Sequence, residues 1–119
     1  MRNIKLTIEY EGTNYHGWQS QVNAVAIQDV IEKALKKLTG EECRLTASGR
    51  TDVGVHALAQ TANFFTRSAI PAERFPYAIN SLLPDDIVIK DSREMPLDFH
   101  SRFCARGKKY KYLIYNSSL

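Results

Sequence analysis

Polar and apolar residues alternate without a break near the start of the chain. Ile4, Leu6, Ile8 and Tyr10 are separated by Lys5, Thr7 and Glu9, a period of two that predicts a half-buried strand. The spacing turns helical at Ile27, Val30, Ile31, Ala34, Leu35 and Leu38,. Gly40 stands just past that run, where a helix commonly stops. Asp29/Lys33 and Glu32/Lys36 fall four apart on the polar side and are expected to pair. Between strand and helix, residues 11–19 read as a loop rich in glycine and aromatics. Within it Trp18 is expected to be an anchor, and Tyr15 either lines a site or locks the loop onto the core. Cys43, Leu45 and Ala47 predict a second strand, and Leu58 to Thr66 a third. Pro71 is expected to open a second helix from Ala72 to about Leu83. Phe75, Ile79, Leu82 and Leu83 form its apolar side, Pro76 falls in its first turn, and Pro84 ends it. Ile87 to Ile89 predicts a short strand. Ser101 to Ala105 continues the sheet, and Lys108 to Tyr115 reads as a last strand.

The order is strand, helix, strand, strand, helix, strand, with one extra strand. It predicts an α+β fold of the ferredoxin-like split β-α-β kind: a mostly antiparallel sheet with both helices on one face. The opposite face is then free for a ligand. The 119 residues fit one domain over 1–119,. There is no repeat, low-complexity tract or internal linker. The end, Asn116-Ser117-Ser118-Leu119, follows the last strand directly and reads as a cut at a domain edge.

Charge changes this picture more than composition does. The net charge is only +3, but it is unevenly spread. Ser101 to Leu119 holds five basic residues (Arg102, Arg106, Lys108, Lys109, Lys111) and no acidic one. Asp85 to Asp98 holds five acids against Lys90 and Arg93. Such asymmetry points to a basic face offered to a polyanion, or to a solvated strand edge guarded by lysines. Cys43 and Cys104 are far apart and in no metal or redox spacing, so buried reduced thiols are expected. Lys5, Thr7 and Glu9 interrupt any signal-peptide core, and no run approaches a membrane span. A cytoplasmic protein with no membrane partner is expected.

The candidate chemistry centres on Ser48-Gly49-Arg50-Thr51-Asp52-Val53-Gly54-Val55-His56-Ala57. One carboxylate, Asp52, stands between two glycines, with Arg50 two residues before it. A glycine-rich turn presents its central side chain and lets another molecule approach the backbone. A neighbouring guanidinium favours the ionised carboxylate, the form a nucleophile or general base needs. The alternative is a structural aspartate bonded to its own turn and to Arg50. His16, His56 and His100 are isolated, so no metal site is expected. No P-loop, dinucleotide fingerprint or nucleophile elbow is present. Tyr110 and Tyr112 lie among the cations of Arg106 to Lys111, a pattern suited to stacking on bases while contacting phosphates. Both tyrosines also suit the sheet core.

Four ordered segments resemble the tRNA pseudouridine synthase A family. They are Tyr10 to Tyr15 with Gly17 to Gln21, Gly49 to Ala57, Phe99 to Phe103, and Lys109 to Tyr112. The Gly-Arg-Thr-Asp-x-Gly-Val-His motif carries most of that resemblance. It implies a cofactor-free, metal-free isomerase that converts uridine to pseudouridine at positions 38 to 40 of the tRNA anticodon stem-loop. By the same resemblance Asp52 matches the catalytic nucleophile, Arg50 its ion-pair partner and Tyr110 the residue contacting the target base. Arg106, Lys108 and Lys109 are the candidate phosphate contacts. The family implies a homodimer with its cleft between two similar halves. This chain matches the N-terminal half of the pattern, so the 119 residues alone are expected to fold but to be inactive or nearly so. Two readings from other classes remain: a non-catalytic RNA-binding module of ferredoxin-like fold, and a protein-interaction domain using the free sheet face. The first leaves the Arg50–Asp52 turn without a task. The second predicts binding insensitive to salt, where RNA binding predicts steep salt dependence.

Overall fold

A computed structural model describes residues 1–15, 17–20, 22, 24–48 and 57–100. Over these the chain forms strand β1 (Arg2–Tyr10), helix α1 (Ile27–Thr39), strand β2 (Thr46–Ala47), strand β3 (Ala57–Thr66), helix α2 (Phe75–Asn80) and strand β4 (Ile87–Met95). The sheet order is β2-β3-β1-β4, and each neighbouring pair is antiparallel. This is the predicted split β-α-β arrangement. Each helix returns the chain so that the strand after it skips one place in the sheet.

The alternation in β1 sets the layers. Ile4, Leu6, Ile8 and Tyr10 are buried, and they stand opposite Phe64, Ala62, Gln60 and Ala57 of β3. On the other side Ile8 and Tyr10 stand opposite Ile89 and Ile87 of β4. Against this face α1 packs Ile27, Ile31, Ala34 and Leu35, and α2 packs Phe75 and Ile79, in one continuous core. Phe64 meets Phe75 edge to face at 5.6 Å between ring centres, a favourable aromatic geometry. Gly40 ends α1 in the left-handed conformation, φ 77°, and Cys43 is a buried free thiol as expected. Burial pushes its pKa up first of all.

Several expectations need correction. The second strand shrinks to Thr46–Ala47, because the backbone of Leu45 bonds to α1 instead of a ladder. Its N–H donates to Glu32 Oε2 (2.8 Å) and its carbonyl accepts from Gln28 Nε2 (3.4 Å). Glu32 is thereby turned from Lys36, which pairs with Glu42 at 2.6 Å. Asp29, expected to pair with Lys33, accepts the N–H of Ala26 at 3.2 Å. The second helix is shorter than predicted: a 3-10 turn over Ala72–Arg74 leads into α2. It ends at Asn80 because a proline at position 84 clashes with a helical carbonyl four residues back. Leu82, expected on the apolar side, is therefore exposed. The last described strand is longer than Ile87 to Ile89. Pairing with β1 carries it through the polar stretch to Met95, and a bulge sets Lys90 and Asp91 side by side,.

The face away from the helices carries Lys5, Thr7 and Glu9 of β1 beside Lys90, Asp91 and Arg93 of β4. Lys90 pairs with Glu9 at 3.7 Å and Arg93 with Asp91 at 3.1 Å. At one end of this face residues 96–100 turn back over Asn3 and Asn63, which are buried. Ser101 to Ala105 and Lys108 to Tyr115 lie outside the described residues. Among those described, no helix is long and apolar enough to cross a membrane.

Candidate active site

Strand direction decides which connections meet. Because β1 runs antiparallel to β3 and β4, its C-terminal end lies beside the start of each. Tyr10 at the head of the connection from β1 to α1, Ala57 at the close of the segment joining β2 to β3, and Ile87 at the close of the turn from α2 to β4 therefore all sit at one end of the sheet. Asp52 and Arg50 belong to the segment joining β2 to β3 but lie outside the described residues. So do Tyr110, Arg106, Lys108 and Lys109, along with His16, His56 and Cys104. What is described is the frame from which the candidate segment departs and to which it returns.

Both ends of that segment are fixed. Ser48 donates its N–H to the carbonyl of Thr61 (2.8 Å) and its hydroxyl to Gln60 Oε1 (2.9 Å). Gln60 is buried. Nine residues on, Ala57 stands opposite Tyr10 in the ladder. The eight intervening residues are thus held at both ends on β3, at Thr61 and Gln60 on one side and at Ala57, beside the last residue of β1, on the other. Ser48 and Gln60 were not singled out by sequence reasoning. A polar pair on adjacent strands is visible only once the register is known.

The aromatic loop is locked onto the core, the second of the alternatives open for Tyr15. Trp18 is buried and stacks on Tyr10 with ring centres 6.0 Å apart, so the anchor expectation holds. Tyr15 is buried and its hydroxyl donates to Asp86 Oδ1 at 2.6 Å. Asp86 also accepts from Asn14 Nδ2 at 3.4 Å, and its carbonyl accepts the N–H of Glu11 at 3.0 Å. Burial first, then the bond to Asp86 and its negative charge, hold the Tyr15 phenol well above the ordinary tyrosine range. Tyr15 is therefore a neutral donor and not a base near neutral pH. Asp86 straps the first connection to the third. In the sequence it is one acid among several, and nothing local distinguishes it.

The start of α1 completes the frame. Gly17 adopts φ 79°, a conformation that favours glycine. The carbonyls of Gly17 and Trp18 accept the N–H groups of Ile27 and Gln28 (3.1 and 3.0 Å). These satisfy donors that a helix start leaves open. Gln28 then links three elements: it accepts from Ser20 N (2.9 Å) and donates to Glu32 and to the Leu45 carbonyl. Among the described residues no three His, Cys, Asp or Glu side chains gather as metal ligands would. The arrangement fixes both ends of one glycine-rich segment, with the Tyr10–Trp18 stack beside its Ala57 end. Binding and catalytic loops are commonly carried this way.

Comparison with known proteins bears on what such a frame carries. The family described as tRNA pseudouridine synthase matches residues 6–104. The chain is 64% identical over 117 residues to a tRNA pseudouridine synthase A of Acetivibrio thermocellus, covering 98% of this chain and 48% of that protein. It is 65% identical over 117 residues to the one from Ruminiclostridium cellulolyticum, and 66% over 116 residues to the one from Caldicellulosiruptor bescii, with the same coverage. The chain spans about half the length of the curated relatives it matches.

Proposed function

The chain belongs to the tRNA pseudouridine synthase family, and from that premise we propose that it supplies the nucleophile-bearing half of an enzyme converting uridine to pseudouridine in tRNA. The target is the anticodon stem-loop at positions 38 to 40. The observation that carries this reading is the match over residues 6–104, which spans the glycine-rich segment held between Ser48 and Ala57. Asp52 is the nucleophile and Arg50 its ion-pair partner. Asp52 is four residues from Ser48, so covalent reach alone keeps it within about 15 Å of that fixed point.

The chemistry suits a single carboxylate without a cofactor. The glycosidic C–N bond breaks, the uracil turns, and a C–C bond forms from its C5 to the same sugar carbon, with C5 giving up its proton and N1 gaining one. A covalent adduct with the Asp52 carboxylate divides this into two easier steps. The target base first leaves its stack, at a cost of a few kcal/mol. Stacking on Tyr110 and phosphate contacts from Arg106, Lys108 and Lys109 offset that cost. Water-exposed charges interact weakly, so the 119 residues alone fold but are inactive or nearly so. Activity requires a second half such as the relatives carry, in a cytoplasmic homodimer.

The test is a map of product. Unmodified whole tRNAs treated with the full-length protein are analysed by mass spectrometry after pseudouridine-specific labelling. The reading expects pseudouridine at 38 to 40 and nowhere else in the loop. Turnover confined to another arm of the tRNA overturns the assigned target, and no turnover on any tRNA overturns the activity.

A further inference from the structure

The outer surface of the helical layer carries cations whose nearest acids along α1 are engaged elsewhere. Spacing sets Asp29 beside Lys33 and Glu32 beside Lys36,. Asp29 instead accepts the N–H of Ala26 at 3.2 Å, and Glu32 that of Leu45 at 2.8 Å. Lys36 is matched by Glu42. Lys33 and Lys37 are exposed, and among the described residues neither is in an ion pair. Lys37 lies in the last turn of α1, where a cation suits the helix end,. Lys33 has no such contact, and it stands four residues from Lys37, a like-charge spacing that destabilises a helix.

Periodicity turns both lysines toward α2. The side chains of Gln28 and Glu32 bond to the backbone of Leu45, so their flank of α1 faces the lead into β2, at one edge of the sheet. At about 100° per residue, Lys33 and Lys37 fall on the other flank, with Val30. There α1 meets α2, which packs over β4 at the opposite edge. The amide of Asn80 bonds to the backbone of Ile89 at 3.0 and 2.8 Å, so that flank of α2 faces β4. Arg74, Ala78 and Ser81 then fall on the flank turned to α1, with Tyr77 on the crest. Tyr77 is 88% exposed. Arg74 is exposed and, among the described residues, in no ion pair. The helices run in opposite directions, because they follow the antiparallel strands β1 and β3. Arg74, just before α2, therefore falls beside the half of α1 that carries Lys37.

We propose that Lys33, Lys37 and Arg74 line the groove between the two helices as a contact surface for the phosphate backbone of tRNA, with Tyr77 stacking on an unpaired base beside it. The inference rests on the proposed function, which supplies the polyanion. Cations left without carboxylate partners are free to neutralise phosphates and release their counterions, and an exposed ring next to them suits a base of any identity. The groove lies on the helical layer, on the other side of the sheet from its open face, and it adds residues distinct from Arg106, Lys108 and Lys109.

The experiment is equilibrium binding of tRNA to the full-length protein across a salt series. Lys33→Gln, Lys37→Gln and Arg74→Gln each lower the slope of log affinity against log salt by about 1, and the triple variant by about 2–3. Tyr77→Ala weakens binding by about fivefold or more and leaves the slope as it was, because stacking moves no counterion. Arg44→Gln is the control: its guanidinium is as open to water but lies on the β2 side, 3.9 Å from Glu32, and its loss leaves the slope unchanged. Urea unfolding verifies that the variants fold, and Lys33→Gln is no less stable than wild type, since it relieves the repulsion from Lys37. An unchanged slope in the triple variant overturns the proposal, as does an equal fall per charge in Arg44→Gln, which reports net charge alone. Wild-type protein that binds no tRNA instead overturns the functional reading, and the proposal with it.

Discussion

Removing one hydroxyl tests how the frame of the candidate site is held. Tyr15→Phe keeps the buried ring and deletes the 2.6 Å bond to Asp86. Hydrogen bonds to charged groups contribute about 1.5–3 kcal/mol. Asp86 is only half-buried, so water re-solvates its carboxylate once the phenol is gone, and its contact to Asn14 is long at 3.4 Å. The expected loss is therefore near the lower end, about 1–2 kcal/mol, or about 4–8 °C in Tm. A second signature comes from pH. Burial and Asp86 raise the Tyr15 pKa above its ordinary value of 10.0. Below that value the phenol is protonated both folded and unfolded, and the bond contributes fully. As pH rises past it the unfolded tyrosine ionises while the folded one keeps its proton, so stability falls by up to about 1.4 kcal/mol per pH unit. Tyr15→Phe loses this dependence. The assay is urea unfolding followed through the fluorescence of Trp18, the chain's single tryptophan, at pH 7 and between pH 10 and 11. An unchanged midpoint at pH 7, or the same alkaline loss in both proteins, refutes the strap.

Phe64→Ala removes a fully buried ring that joins the sheet to α2 through Phe75; calorimetry should show a loss of about 3–5 kcal/mol. Gly40→Ala costs about 1–2 kcal/mol by urea unfolding. The added Cβ meets nothing within 4 Å, so the cost is the left-handed backbone alone, and Gly40→Asn recovers part of it. Lys108→Ala and Lys109→Ala each lower the slope of log affinity for tRNA against log salt by about 1, read by filter binding. An unchanged slope removes that residue from the phosphate contacts.

The layers of the fold were legible because periodicity survives packing. The alternation in β1 and the helical spacing from Ile27 to Leu38 are burial patterns, and the structure buries the residues they mark, Val30 and Leu38 in part. The misses share a cause. Leu45 left its expected strand because Glu32 and Gln28 offered its backbone other partners, and strand β4 outran its apolar residues because β1 supplied a ladder. Both depend on residues distant in sequence, which no window reveals. The site divides the same way. The glycine-rich segment with Asp52 is a local motif, visible at once. The groups that hold its frame, Ser48 with Gln60 and Tyr15 with Asp86, are pairs across 12 and 71 residues. They announce themselves only through the register.

The central claim is that Asp52 performs the chemistry. Full-length protein carrying Asp52→Asn should release no tritium from 5-tritiated uridine in anticodon stem-loop RNA, while its affinity for that RNA stays within about tenfold of wild type, as expected for a group that acts in the transition state and not in binding. Retained turnover in the variant, or binding lost in the same proportion as turnover, contradicts the account.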